Sequence, residues 1–150
     1  MRIAYSHQAF SIQEFGGVSR YYSRLADKLF KQGQDVKIFA GMYRNNYLYN
    51  LPKEMVKGIN FKKYPPKSVN LFHSLNSMIG HFQIKSWKPD IIHETYYSSL
   101  PTFKSDVVRI TSVYDMIHEL FSNQFLSSDT TTLYKKKTIE RTDHIISISH

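Results

Sequence analysis

Two adjacent glycines, Gly16 and Gly17, are the residues of this sequence best suited to hold an anion. They directly precede the most regular helical pattern of the chain, which begins at Val18. Glycine lets the backbone approach a ligand closely, and the free N–H groups at the start of a helix attract negative charge. The pair therefore predicts a phosphate site or a tight turn at the helix entry, and the glycines alone leave both open.

Common nucleotide-binding motifs are missing around this pair. The sequence contains no G-x-G-x-x-G, and its second predicted strand ends Phe39-Ala40-Gly41, without the acidic residue that binds an NAD ribose. No G-K-[ST] occurs either, which excludes a P-loop. These absences disfavour a dinucleotide oxidoreductase and a P-loop ATPase, and they leave other phosphate compounds as ligands.

A second group of polar residues follows the predicted strands at their carboxyl ends. In a parallel sheet these ends share one edge, and ligands bind in the crevice beside it. Histidine is a common acid–base residue, so His118 is a candidate for such chemistry, and Glu119 could orient it. Structural explanations stay open: His118 could be solvated, Asp115 could cap a helix beginning at Met116, and His93 could be a buried strand residue. The group comprises His7 and Gln8, then His93, Glu94, Tyr96 and Tyr97, and finally Tyr114, Asp115, His118 and Glu119.

The elements that position these residues alternate along the chain. Short apolar segments typical of strands cover residues 2–5, 35–40, 60–64, 90–93, 107–113 and 144–149, and helical patterns cover 18–31, 71–82 and 129–141. Because strands alternate with helices, the pattern predicts an α/β fold: a Rossmann-like, doubly wound, mainly parallel sheet with helices on both faces. We expect the apolar stripe of the second helix to pack on this sheet; it consists of Leu71, Phe72, Leu75, Met78, Ile79 and Phe82.

Length and composition limit the architecture and the partners. The chain has 150 residues, enough for one domain, and no cysteine, which excludes disulfides, thiolate metal sites and cysteine nucleophiles. Neither a signal-peptide core nor an apolar run long enough to span a membrane is found. The formal net charge is +8, and residues 44–88 hold eight basic side chains against one acid, Glu54. This charge favours anionic partners: nucleic acid, a phosphorylated substrate or an acidic lipid surface.

Four segments, in order, resemble the N-terminal domain of family 4 glycosyltransferases, a large retaining group with the GT-B fold. They are QEFGGVSRYYSRLADKLFKQGQDVKIFAG, KPDIIHETYY, VVRITSVYDMIHELF and ERTDHIISIS, and they are distributed over nearly the whole chain, from residue 13 to residue 149. The resemblance implies two Rossmann-like domains that face each other across a cleft, with the donor nucleotide held mainly by the C-terminal one. We therefore expect residues 1–150 to form the N-terminal, acceptor-side domain, to lack the C-terminal nucleotide-sugar domain and to be inactive alone.

The resemblance also implies roles for individual residues. The reaction would transfer a sugar from a nucleotide-diphosphate sugar to a glycan or lipid-linked acceptor, and Gly16, Gly17 and Val18 would bind the donor diphosphate. Tyr114 stands where many relatives carry a histidine that contacts the donor sugar, so this contact is altered here. The implied catalytic residues are Tyr114, Asp115, His118 and Glu119, and the implied acceptor-binding residues are His7, Arg20, His93, Glu94 and Tyr96.

We expect neither a metal nor another cofactor. Many sugar transferases hold a divalent ion on a D-x-D pair, but no two aspartates here stand two positions apart. As the resemblance implies, the main-chain amides at Gly16 and Gly17 would instead face the charge that develops on the departing diphosphate.

The expected partners are a nucleotide-sugar donor, a glycan or lipid-linked glycan acceptor and the missing C-terminal domain. The basic segment 44–88 either forms a solvated face or binds an anionic membrane surface. We therefore expect a cytoplasmic protein, which in the second case would be peripheral at the inner face of the membrane. The alternative function is a basic module that binds nucleic acid or glycan without catalysis. Because no short motif of nucleic-acid-reading modules occurs, nucleic acid is not among the expected partners.

Overall fold

A single parallel sheet organises the chain. The computed structural model describes residues 1–99, 101, 107–126 and 128–148. Within them, six strands pair in the order β3-β2-β1-β4-β5-β6, and every pairing is parallel. The strands are β1 (Arg2–Tyr5), β2 (Asp35–Tyr43), β3 (Val56–Asn60), β4 (Ile91–Glu94), β5 (Val108–Val113) and β6 (His144–Ser147).

Helices connect the strands and cover both faces of the sheet. They are α1 (Gln8–Ile12), α2 (Gly17–Lys31), α3 (Val69–Trp87), α4 (Ile117–Leu120) and α5 (Thr131–Glu140), with 3-10 turns at Asn46–Asn50 and Ser122–Gln124. On one face, Tyr5 and Ile38 of the sheet pack with Phe10 of α1 and Tyr22 of α2. On the other face, the smaller core consists of Ala4, Phe39, Ile84 and Ile92. The predicted Rossmann-like α/β fold is confirmed. Among the described residues, no helix combines the length and the apolar character needed to cross a membrane.

The third strand lies earlier in the chain than predicted, and its edge contains a bulge. We expected a strand at residues 60–64, whereas β3 covers Val56–Asn60. The register between β2 and β3 shifts between Phe39 and Gly41, and Gly41 has a φ of +59°. A Cβ on Gly58 would lie 2.3 Å from the carbonyl oxygen of Gly41. In a sequence, a glycine usually argues against a strand. Here Gly58, which has no side chain, is the residue that allows β3 to pair with β2.

A short helix occupies part of the loop predicted between β1 and Gly17. α1 buries Ala9 and Phe10, and the Ala9 amide donates to the Thr95 hydroxyl at 3.1 Å. Five residues are too few to show a helical period in the sequence. The contact with Thr95, which follows β4, is what holds this turn in place.

The apolar stripe of α3 packs on the sheet only in part. Leu71, Met78 and Phe82 are 60%, 53% and 65% exposed, and the other three residues of the stripe are half-buried. The buried residues of this part of the helix are Asn76 and Gly80. The Asn76 side chain is fully buried: its Oδ1 accepts from the Met42 amide at 2.8 Å, and its Nδ2 donates to the Met42 carbonyl at 3.1 Å. A buried side-chain amide with satisfied hydrogen bonds, next to a small residue, therefore orients this helix.

Candidate active site

The N-terminus of α2 is open at the carboxyl edge of the sheet. α2 begins at Gly17, and Gly16 precedes it in an extended conformation. Gln13 Oε1 accepts from the Ser19 amide at 3.0 Å, so the protein itself occupies one of the amides at the helix start. Within the described ranges, the amides of Gly17 and Val18 have no hydrogen-bond acceptor. These two N–H groups are available to an anion.

The two glycines have different surroundings. A Cβ on Gly16 would lie 2.3 Å from Gln13 Oε1, the atom that caps Ser19. A Cβ on Gly17 would meet no atom within 4 Å. A side chain at Gly16 would therefore displace the Gln13 side chain that caps α2, whereas the space beside Gly17 is open.

Asn45 holds the loop that carries the glycines, and sequence analysis missed this role. Its side chain is fully buried, and its Nδ2 donates to the carbonyls of Gln13 at 2.8 Å and Glu14 at 3.3 Å. The Asn46 amide also donates to the Glu14 carbonyl, at 3.0 Å. A signal did exist, because paired asparagines directly after a strand are typical of residues that bind loop backbone.

Aromatic rings connect the start of α2 to the end of β5. The ring centroids of Tyr21 and Tyr114 are 6.3 Å apart, and Tyr114 packs at a similar distance on Tyr22 and Tyr97. The Tyr114 hydroxyl points inward and donates to the Thr95 carbonyl at 3.5 Å, and burial raises its pKa. The glycine pair and the loop after β5 therefore share one edge, as predicted, but the Tyr114 hydroxyl is turned away from it.

The two histidines predicted to touch the acceptor are buried. His7 Nδ1 lies 3.2 Å from the Ser11 hydroxyl and its Nε2 lies 3.1 Å from that of Ser77. His93 Nε2 lies 3.1 Å from the Ser112 hydroxyl. Burial lowers the pKa of His7 to about 3 and that of His93 to about 4, so both rings are neutral at physiological pH. His93 is thus a buried and hydrogen-bonded strand residue, and His7, which precedes α1, is buried and hydrogen-bonded as well.

Glu94 is the centre of a buried ion-pair network. Its side chain is fully buried; Oε1 lies 2.9 Å from Arg109 Nη1 and Oε2 lies 2.7 Å from Arg141 Nη2. The Tyr22 hydroxyl donates to the Glu94 carbonyl at 3.0 Å. Glu94 was predicted to bind the acceptor, but these contacts give it a structural role. Arg109 was the overlooked signal, since a charge within an apolar strand implies a buried partner.

The loop after β5 presents polar groups to solvent. Asp115 is exposed, and its Oδ1 accepts from the Ile117 amide, the first of α4, at 3.1 Å. The helix begins one residue later than the structural alternative predicts, so Asp115 lies just before the N-cap position, which is Met116. His118 stacks on Phe125 with centroids 4.0 Å apart, and its Nε2 lies 3.5 Å from Asp129 Oδ2. A carboxylate therefore does face the histidine, but it is Asp129 and not the predicted Glu119.

Lys135 joins this loop to α5, and no sequence pattern distinguishes it from the two lysines that follow it. Its Nζ donates to Glu119 Oε2 at 2.7 Å and to the Asp115 carbonyl at 2.8 Å. The same ammonium lies 5.4 Å from the centroid of the Tyr97 ring. Because the Lys135 side chain is only 3% exposed, its hydrogen bonds fix the position of the loop.

The remaining predicted acceptor residues lie on separate surfaces. Tyr96 is half-buried near Asp115 and Asp129, and burial, followed by these two charges, raises its pKa. Arg20 is exposed and lines a cavity of about 310 Å³ between α2 and the 3-10 turn at Asn46–Asn50, together with Arg24. The described residues include no group of three or more histidine, aspartate or glutamate side chains able to hold a metal ion.

Fold and site together define a Rossmann-like α/β domain with an open helix N-terminus at the carboxyl edge of its sheet. The sequence profile of Glycosyltransferase Family 4 matches residues 15–150, which is most of the chain. The chain therefore belongs to this family, as an N-terminal domain, and its sheet is consistent with the N-terminal half of a GT-B fold. Membership supports a glycosyltransferase-type function. A comparison with curated proteins finds no match.

Proposed function

We propose that this domain is the acceptor-side half of a retaining glycosyltransferase, which moves a sugar from a nucleotide-diphosphate sugar to a glycan or lipid-linked acceptor. The observation that supports it most directly is the pair of amides at Gly17 and Val18, which have no acceptor among the described residues and adjoin open space. Family membership supplies the reaction class.

Charge development explains why such amides would matter. When the sugar leaves, negative charge grows on the diphosphate, and donors fixed in advance stabilise it without reorganising. α2 begins at Gly17 and continues to Lys31, long enough to carry roughly half a positive charge at its N-terminus. A hydrogen bond to a charged group contributes about 1.5–3 kcal/mol. Two amides and the helix dipole would thus act together on the leaving group.

The acceptor side of the proposal follows from which polar groups are exposed. His7, His93 and Glu94 are buried with partners of their own, so we assign them to the scaffold. Asp115 and His118 remain at the carboxyl edge, where either could contact an acceptor hydroxyl. We propose His118, oriented by Asp129, as the group that exchanges a proton there.

The proposal includes a second domain that supplies most donor contacts. All four residues of β6 are exposed, and the apolar side chains of Ile145 and Ile146 are 51% and 37% exposed. Apolar side chains on a strand are ordinarily covered, which supports a covering polypeptide at this edge. Without that domain, the chain should bind donor weakly and catalyse no transfer.

Amide chemical shifts provide the test. UDP and UDP-glucose, added to the ¹⁵N-labelled chain, should shift the signals of Gly17 and Val18 first. Gly17→Val should weaken this binding about tenfold or more, because it blocks the approach of the diphosphate and removes charge-assisted hydrogen bonds. The variant should have the same melting temperature as the wild type, since a Cβ at Gly17 meets no atom within 4 Å.

A matched control is available on the same helix. Gln32→Val places the same side chain at the exposed C-terminal end of α2, away from the crevice, and should leave binding unchanged. If UDP shifts other residues and leaves Gly17 and Val18 unmoved, or if Gly17→Val binds as well as Gln32→Val, the diphosphate role is refuted.

A further inference from the structure

The outer side of α3 is an apolar face that no part of the described chain covers. Leu71, Met78 and Phe82 are spaced by seven and four residues, so they lie along one side of the helix. Each is more than half exposed. The opposite side, with Asn76 and Gly80, packs on the sheet. We call the row of Leu71, Met78 and Phe82 the outer face of α3.

Near the C-terminal end of α3, this face continues into a shallow hollow with two lysines. The hollow has a volume of about 460 Å³ and is lined by Lys37, Phe39, Lys57, Phe82, Gln83, Ser86 and Trp87, with no carboxylate among them. Lys37 Nζ lies 4.8 Å from the centroid of the Trp87 ring. Within the described residues neither lysine forms an ion pair, and the buried Gln83 Oε1 has no hydrogen-bond partner. Two positive charges thus stand beside apolar rings.

This surface is separate from the candidate active site. Lys37 is the third residue of β2 and Lys57 the second of β3, so both lie at the amino end of parallel strands. The glycine pair lies at the carboxyl end of the same sheet. The hollow therefore lies away from the proposed diphosphate site, and the inference does not depend on the proposed transfer reaction.

We infer that the outer face of α3 docks on an anionic lipid bilayer, with lipid phosphates between Lys37 and Lys57 and Trp87 at the level of the headgroups. Apolar side chains on one side of a helix, bordered by lysines, bind the membrane interface in the plane of the bilayer. Tryptophan prefers that interface. Charge complementarity supports this partner, because Lys37 and Lys57 line the hollow and no carboxylate lines it.

Other partners explain the surface less well. A nucleic acid would meet the lysines but would leave the apolar row of Leu71, Met78 and Phe82 without a function, because such interfaces are polar. A second copy of the chain would bring two positively charged surfaces together. A bilayer accounts for both the apolar row and the lysine pair.

Trp87 is the only tryptophan of the chain and lies in the hollow, so its fluorescence reports on this surface. With vesicles of phosphatidylcholine and phosphatidylglycerol, we expect its emission to shift to shorter wavelength and to be quenched by brominated lipid. Vesicles of phosphatidylcholine alone should have a much smaller effect. Lys37→Gln and Lys57→Gln should each lower the partition coefficient about fivefold.

Substitutions on the outer face separate docking from plain charge attraction. Phe82→Gln should lower partitioning about tenfold, and Met78→Gln and Leu71→Gln should each have a similar effect. All three side chains are more than half exposed, so the variants should melt like the wild type. Leu120→Gln is the matched control, because Leu120 is 74% exposed on α4, outside this surface, and should change nothing.

Three results would overturn the inference. The first is binding that high salt abolishes but that none of the three glutamine substitutions alters, which indicates adsorption by charge alone. The second is an equal response of Trp87 to a single-stranded oligonucleotide, which indicates nucleic acid. The third is a dimer seen by light scattering without lipid and abolished by Phe82→Gln, which indicates self-association.

Discussion

Replacing Glu94 by glutamine should destabilise the domain more than any surface change. The Glu94 side chain is 0% exposed and that of Arg109 is 6% exposed, and their charged atoms are 2.9 Å apart. Glutamine keeps the shape, but it leaves the Arg109 guanidinium buried without the charge of Glu94 and turns an N–H donor toward Arg109 or Arg141. Removing one partner of a buried ion pair costs about 3–5 kcal/mol. Total stabilities are about 5–15 kcal/mol, so a large part of the folding free energy is lost.

Urea unfolding followed by circular dichroism measures this loss. In a thermal scan, the same change should lower the melting temperature by about 10 °C. Asp27→Asn is the control, because it removes an i,i+4 pair with Lys31, whose side chain is 71% exposed, and should cost about 0.5 kcal/mol or less. A cost for Glu94→Gln no greater than that of Asp27→Asn would refute the assignment of Glu94 to the scaffold.

Two further predictions concern buried groups. Burial lowers the pKa of His7 to about 3 and that of His93 to about 4, so on acidification the unfolded chain takes up protons before the folded chain does. The free energy of unfolding should therefore be complete above about pH 6.5 and fall by about 2 kcal/mol per histidine by pH 5. Urea unfolding at about pH 6.5 and at about pH 5 measures this loss of stability, and His93→Asn should remove about half of it. A urea midpoint that does not change with pH would contradict the prediction. Gly41→Ala should cost more than Gly33→Ala, because both have positive φ, but only a Cβ on Gly41 meets a neighbour, Asn76 Oδ1 at 2.5 Å. Equal melting temperatures for the two variants would show that the clash is relieved.

Local patterns predicted most elements because their causes are local. The apolar period of α2 predicted residues 18–31, and the helix covers Gly17–Lys31. Buried strands such as Ile91–Glu94 and Val108–Val113 lie within a residue of their predicted bounds. The errors fall where a distant contact decides, as for β3, which pairs with β2 because Gly58 has no side chain to collide with the bulge at Gly41.

The candidate site was predicted in part. The glycine pair and the loop after β5 do share one edge, because topology brings the carboxyl ends of parallel strands together. Which polar side chains reach that edge was not predictable, since a strand residue such as His93 faces either the core or the crevice. The orientation of α3 was predicted only in part for a related reason: Asn76, a polar residue outside the apolar stripe, is buried and forms hydrogen bonds with Met42 of β2.

By itself, the sequence determined the alternation of strands and helices, the absence of cysteine chemistry, the positive charge and the family, because these depend on residue types and short-range order. Only the tertiary structure decided that Glu94, His7 and His93 are buried with partners of their own and that the outer face of α3 is exposed. The physical reason is that burying a polar group requires a partner, and the partners are remote: Glu94 and Arg141 are 47 residues apart, and His7 and Ser77 are 70 apart. A local sequence pattern therefore cannot predict which of these residues pair.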